Sequence, residues 1–307
     1  IRRYISPVMV GLFVLCVALF AAQSIQQYFL KKYYFYYELT DVTSLLGSMK
    51  DYPDIERFHS AYNTIDLVRR PQYKNVLTPT LLKAYSEKGR AFPHYPRRAV
   101  LFINRDFQFN TDTEEIYHEY FAHVPIFLNG TAPRQVLVLG AGDGMLLREI
   151  LKYPEVAEVT HVEIDKKMIW LAQEHPILHM INRGSLSDPR VHTIIADAFH
   201  YMKNCKRKFD AIYMDFPVPN HFDLSKLYSY EFYRFIKQCL ETDGFFVFDA
   251  TWITGYGDKL GRHYEGFNNA WNIYHSTLKE AGFQHIVPFY VNLEFDDMEI
   301  KKKVERR

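Results

Sequence analysis

Four carboxylates stand out by their spacing: Asp143, Glu163, Asp197 and Asp215. Asp143 lies inside Gly140-Ala141-Gly142-Asp143-Gly144, directly after the apolar run Val136-Leu137-Val138-Leu139. The other three each close an apolar, partly β-branched stretch: Glu158–Glu163, Val191–Asp197 and Phe209–Asp215. If these are strands of one parallel sheet, all four acids fall at the C-terminal edge, where open α/β sheets bind ligands. An acid at the tip of the second strand, about 20 positions beyond the first glycine, is placed to hold the two hydroxyls of a ribose. Gly140, Gly142 and Gly144 allow a sharp turn and a close ligand approach. A dinucleotide would want a third glycine where Met145 stands. Asp143 would repel phosphate and attract an amine. The loop therefore suits a nucleoside carrying a positive group, S-adenosylmethionine or its decarboxylated form, better than NAD. The competing reading is a glycine-rich turn with no ligand.

The elements that must position these acids alternate between strand and helix. Val136–Leu139 is short, apolar and bounded by glycine, the pattern of a strand buried on both faces. Helices are expected over Met145–Lys152, Lys166–His175, Phe232–Leu240 and Asn268–Ala281, and a last strand over Gly244–Ala250. This alternation predicts an α/β fold, a doubly wound Rossmann-like sheet of the methyltransferase type. Ahead of it, Phe58–Arg70 reads as a strand and Ala99–Phe109 as a hairpin turning at Asn104-Arg105-Asp106. Thr111–Asn129 reads as a helix capped by Thr113 or Asp112, with Glu114 and Glu115 in its first turn. Pro71–Pro96 is irregular, with a helical piece near Thr80–Glu87.

Ile5–Ala22 carries no charge. At about 1.5 Å per residue it covers roughly 27 Å, close to the thickness of a bilayer's hydrocarbon core. Arg2 and Arg3 precede it, and Lys31, Lys32 and Tyr33–Tyr37 follow, as in an interfacial belt. The expectation is a single-pass membrane protein in contact with lipid through Ile5–Ala22. Basic residues flank both ends, so the orientation stays open. An organellar address such as the mitochondrial inner membrane is compatible with this. The division expected is a transmembrane helix with its flank at 1–37, a linker at 38–57, a small β-rich domain at 58–130, the nucleoside-binding domain at 131–292 and a charged tail at 293–307.

The 307 residues suffice for a sizeable core, and the net charge of +1 gives no case for nucleic acid as a partner. Cys16, Cys205 and Cys239 are scattered, with no spacing for a metal site or a disulfide framework. Chemistry without a metal is expected.

At this point the chain resembles the polyamine aminopropyltransferases, the spermidine synthase family, and among them the membrane-attached type. The resemblance runs from about Phe58 to Tyr290. It rests on SAYN (Ser60–Asn63), LFINRDFQF (Leu101–Phe109), YHE (Tyr117–Glu119), VLGAGDGMLLREILKYP (Val138–Pro154), VEID (Val162–Asp165), ADAF (Ala196–Phe199), MDFPVPN (Met214–Asn220) and KLYSYEFY (Lys226–Tyr233). It implies decarboxylated S-adenosylmethionine as co-substrate. Gly140, Gly142 and Gly144 would form its loop, Asp143 would hold the amine of its aminopropyl group, Glu163 the ribose, and Asp197 the adenine amino group. Asp215 would be the catalytic base, with Tyr117 beside it. Gln108, His118 and Tyr290 would line the substrate side, and Asn63 stands where the family usually has Gln. A homodimer is the family's habit.

The departures are local. Val218 stands where the family's loop has a second carboxylate, Arg105 where it has a turn glycine, and the chain after Asn292 differs. Three readings follow. The first is an active membrane-anchored aminopropyltransferase using a diamine such as putrescine. The second is a catalytically inactive subunit with a structural or assembly role in a membrane complex. The third is a methyltransferase on the same fold.

Overall fold

A computed structural model describes residues 7–35, 55–69, 99–111, 113–217, 219, 222–250 and 266–289. Residues 38–54 of the linker expected at 38–57, the segment 71–96, Val218, Tyr290 and the charged tail lie outside the described residues, while Glu56 and Arg57 of that linker begin a strand. Two compact units divide between Asp112 and Thr113.

The first unit holds helix α1 (Pro7–Phe35) and an antiparallel sheet, β1 (Glu56–His59), β2 (Thr64–Arg69), β3 (Ala99–Ile103) and β4 (Asp106–Asn110), in that order. The strand expected over Phe58–Arg70 is instead two strands. Ser60 accepts hydrogen bonds from the backbone of Tyr62 and Asn63, and that turn reverses the chain. A serine hydroxyl thus does here what glycine usually does. The β3–β4 hairpin forms as expected. Asn104 and Arg105 both take positive φ, 53° and 75°, the turn that matches strand twist. The far end of α1 is fixed to this sheet. Gln27 exchanges two hydrogen bonds with the backbone of Ile55, at 2.9 and 3.0 Å, as a neighbouring strand would. Tyr34 donates to buried Asp66, which also takes a two-pronged bond from Arg57 at 2.6 Å. Leu30, Ile55 and Val68 close the joint.

The second unit begins with helix α2 (Glu114–Asn129). Sequence placed that helix with the β-rich domain ending at 130. Its Phe121 and Ala122 pack instead on Val136, Val138 and Tyr213 of the parallel sheet. Thr113 occupies the cap position but makes no side-chain capping bond. The sheet comprises β5 (Gln135–Gly140), β6 (Glu158–Glu163), β7 (Val191–Ile195), β8 (Phe209–Asp215) and β9 (Leu240–Phe248), all parallel, in the order β7-β6-β5-β8-β9. The helices are α3 (Met145–Ile150), α4 (Lys166–Glu174), α5 (Pro176–Asn182), α6 (Ala198–Asn204), α7 (Phe222–Ser225), α8 (Tyr230–Cys239) and α9 (Gly266–Glu280). Both faces of β5 are buried. Val136 and Val138 meet Leu146, Leu147 and Ile150, while Leu137 and Leu139 meet Met202, Phe232 and Ile236. Successive side chains point to opposite faces, so one four-residue run seeds both core layers. The strand order reverses between β5 and β8, and a cleft opens above such a switch point.

Candidate active site

Glu163 and Asp215 each end a strand at this edge, and Asp143 follows β5. Gly140 pairs with Asp215 across β5 and β8. A side chain at Gly140 would place its Cβ 2.1 Å from the Asp215 carbonyl oxygen, and its φ is +82°. Glycine there is what lets the two strand ends close. A Cβ at Gly142 would lie 3.0 Å from a Glu163 carboxylate oxygen and 2.9 Å from Met168. The loop is held from below by buried His161, whose Nε2 donates to the Gly140 carbonyl at 2.7 Å. Burial lowers this imidazole to about 4, so it is neutral and serves as a fixed donor.

Asp215 is partly buried, and Tyr117 of α2 donates its hydroxyl to Oδ1 at 2.9 Å. Withdrawal from water raises Asp215 to about 6, and the charge of Asp143 adds to the rise. His118 and the Tyr117 hydrogen bond pull the other way, and Asp249 at the end of β9 pushes it up again. Tyr117 is itself held well above an ordinary phenol, first by burial and then by Asp215, so it keeps its proton and acts as a donor. Glu163 rises to about 7, chiefly through burial, although the Asp165 backbone N–H donates to its Oε1 at 2.8 Å. Such raised carboxyls cluster where proton transfer and cation binding occur.

Two of the four acids also serve local structure. Asp143 Oδ1 accepts from Met145 N–H at 2.8 Å. Asp197 belongs to no strand. It caps α6 through His200 N–H at 3.0 Å and pairs with Lys226 at 2.9 Å. Desolvation raises its carboxyl, but the His200 and Lys226 bonds outweigh that and leave it lowered. A carboxylate has about four acceptor positions, so both groups keep room for a ligand.

Tyr117, His118, Gly140, Gly142, Asp143, Gly144, Glu163, Asp197 and Asp215 all belong to the second unit. Asn63 and Gln108 belong to the first. There Asn63 accepts from Asn104 at 2.8 Å and Gln108 donates to the Asp106 carbonyl at 3.1 Å. Sequence reading gave Glu114 only a place in the first helical turn and passed over Arg148 and Asp249. Arg148 and Glu114 are 34 positions apart yet share a buried two-pronged ion pair at 2.8 and 3.0 Å, which no local spacing announces. Among the described residues no cluster of three or more His, Cys, Asp or Glu could hold a metal.

The sequence profile of the spermine/spermidine synthase domain matches residues 114–255. Polyamine aminopropyltransferase 1 of Streptomyces coelicolor is 41% identical over 145 residues, covering 47% of this chain and 27% of that protein. Polyamine aminopropyltransferase 2 of Ralstonia nicotianae is 38% identical over 184 residues, 60% of this chain and 34% of that protein. Its Aquifex aeolicus namesake is 33% identical over 222 residues, 67% of this chain and 42% of that protein. The chain thus spans well under half the length of these curated relatives. A crystal structure of spermidine synthase in complex with the transition-state analogue AdoDATO superposes with a TM-score of 0.55 at 24% identity, over 74% of this chain and 64% of that one. Spermidine synthase from Thermotoga maritima gives 0.54 over the same shares. At that identity the superpositions establish the fold. The chain is thus similar to the polyamine aminopropyltransferases, and the spermine/spermidine synthase domain profile matches its residues 114–255.

Proposed function

We propose that this protein binds decarboxylated S-adenosylmethionine and transfers its aminopropyl group to a diamine such as putrescine. The observation that carries the reading is the Tyr117–Asp215 hydrogen bond beside Asp143, at the sheet's switch point. Glu163 would take the ribose hydroxyls and Asp197 the adenine amino group. Asp143 would take the ammonium of the aminopropyl arm, a choice that favours the decarboxylated donor over one bearing a carboxylate.

In the reaction a neutral primary amine attacks the carbon beside the sulfonium. The new N–C bond forms as the C–S bond breaks, and methylthioadenosine leaves. An amine is mostly protonated near neutral pH, so a base must remove a proton. Asp215, at about 6, is largely ionised there and close enough in basicity to act. Tyr117 fixes the direction of its lone pairs. Sulfonium leaves readily, so alignment and deprotonation are what the residues contribute.

The reading extends to a membrane anchor. Met9–Tyr34 is long and apolar enough to cross a bilayer, and Phe13 and Leu19 are 69% and 61% exposed. Helix surface that apolar and uncovered calls for lipid or a partner.

The test is methylthioadenosine release with putrescine. Asp215→Asn should cut it about 10²- to 10⁴-fold while nucleoside affinity changes little. Undiminished turnover in the variant would overturn the base assignment. The Lys226–Asp197 pair favours a second reading, an inactive subunit whose adenine carboxylate is engaged in part by its own lysine. Absent turnover together with absent nucleoside binding would support it.

A further inference from the structure

His118 anchors a buried line of charge running away from the site. Its Nδ1 lies 2.8 Å from both the carbonyl oxygen and Oε2 of Glu114. Both are acceptors, so Nδ1 carries a hydrogen in either state of the ring, and Nε2 is the position that ionises. Glu114 is fully buried and gripped by Arg148, which also donates to Glu149 Oε1 at 2.7 Å and to the Ile181 carbonyl at 2.8 Å. Glu149 in turn meets His123 Nε2 at 3.1 Å and Lys152. The line therefore joins half-exposed His123 on α2 and Lys152 just past α3 to the imidazole beside Tyr117.

Charge balance gives the line a purpose. Glu114 and Arg148 cancel, as do Glu149 and Lys152. Among the described residues Asp143 and Asp215 then remain without a cationic partner, with Glu163 and Asp249 acting on them in turn, and the charges of Asp143 and Asp215 both reach His118. Two such groups are costly without a cation nearby. We propose that Glu114, clamped by Arg148, is a positioning residue that holds His118 as an imidazolium, a resident cation balancing Asp143 and Asp215 when no substrate ammonium is bound. The groups facing the ring are Glu114 and Tyr117 from α2, Asp143 from the loop and Asp215 from β8. Burial alone would favour the neutral ring, but the Glu114 hydrogen bond and the surrounding carboxylates leave it above its ordinary value. What the cation does for catalysis rests on the aminopropyl reading. Its existence does not.

The experiment is nuclear magnetic resonance of the full chain in detergent with isotope-labelled histidine, His118 being assigned by His118→Gln. The His118 ring should stay protonated above the ordinary 6.5. In Glu114→Gln its midpoint should fall by about one pH unit. A neutral His118 ring near pH 6 in the wild-type chain would overturn the proposal, whether or not Glu114→Gln folds. A second readout is the acid limb of methylthioadenosine release. Losing the imidazolium in His118→Gln should move that limb to higher pH, because His118 lowers Asp215. An unmoved limb with a protonated wild-type ring would remove the balancing role. Absent turnover with a protonated ring would instead count against the aminopropyl reading alone.

Discussion

As the proposed base, Asp215 would act only when ionised, and its value of about 6 sets where that happens. Turnover should rise with pH through about 6 and level off above it. Tyr117→Phe removes a hydrogen bond that lowers Asp215, so the same limb should move upward in pH, with a fall in kcat larger than any change in KM. A limb that stays in place would contradict the Tyr117–Asp215 coupling. Glu163 carries a cost of another kind. Its folded value, about 7, exceeds the ordinary 4.5 mainly because burial disfavours its charge. The folded state therefore binds more protons between those values. Its contribution is fully present below about pH 4.5 and lost as pH rises through about 7. Glu163→Gln should raise Tm near pH 8, a stabilisation of at most about 3 kcal/mol, leave it unchanged near pH 4.5, and weaken ribose binding. Equal Tm values for the two chains near pH 8 would show that the ionised carboxylate is not strained.

Elements explain which of these placements could be read from sequence. Strands β6 and β8 match the expected Glu158–Glu163 and Phe209–Asp215, because dense apolar runs ending in an acid leave few alternatives. Asp197 misled, since the apolar run before it ends at Ile195 and the acid begins α6 instead. The β1–β2 turn was invisible because Ser60 replaces the usual glycine signal. Glu114 and Arg148 became meaningful only once α2 packed on α3. Two tests belong to this scale. Gly140→Ala should destabilise by more than about 2 kcal/mol, because its Cβ collides with the Asp215 backbone. Wild-type stability there would mean that the strand ends can part. Arg105→Gly relieves a positive φ of 75° and should add up to about 1 kcal/mol in urea unfolding. A loss would show that the Arg105 guanidinium over Tyr33, 5.3 Å from the ring centroid, matters more.

At the scale of the molecule, two unlike ends meet in one chain. Helix α1 presents an apolar surface along Met9–Leu19, then fastens to its own small sheet through Gln27, Leu30 and Tyr34. Leu12→Lys with Leu15→Lys should release the protein from membranes in a carbonate wash, since each lysine costs about 3 kcal/mol within a bilayer. Retention in the pellet would assign the anchor elsewhere. The other end is the proposed nucleoside site, where Asp143 would pair with a lone ammonium. Calorimetric titration of the detergent-solubilised protein tests this most directly, comparing decarboxylated S-adenosylmethionine, methylthioadenosine and S-adenosylmethionine. Micromolar binding of the first two is expected from the nucleoside pocket, with the carboxylated donor at least about tenfold weaker because of Asp143. Equal or tighter binding of S-adenosylmethionine, or no binding of any of the three, would contradict the aminopropyl site.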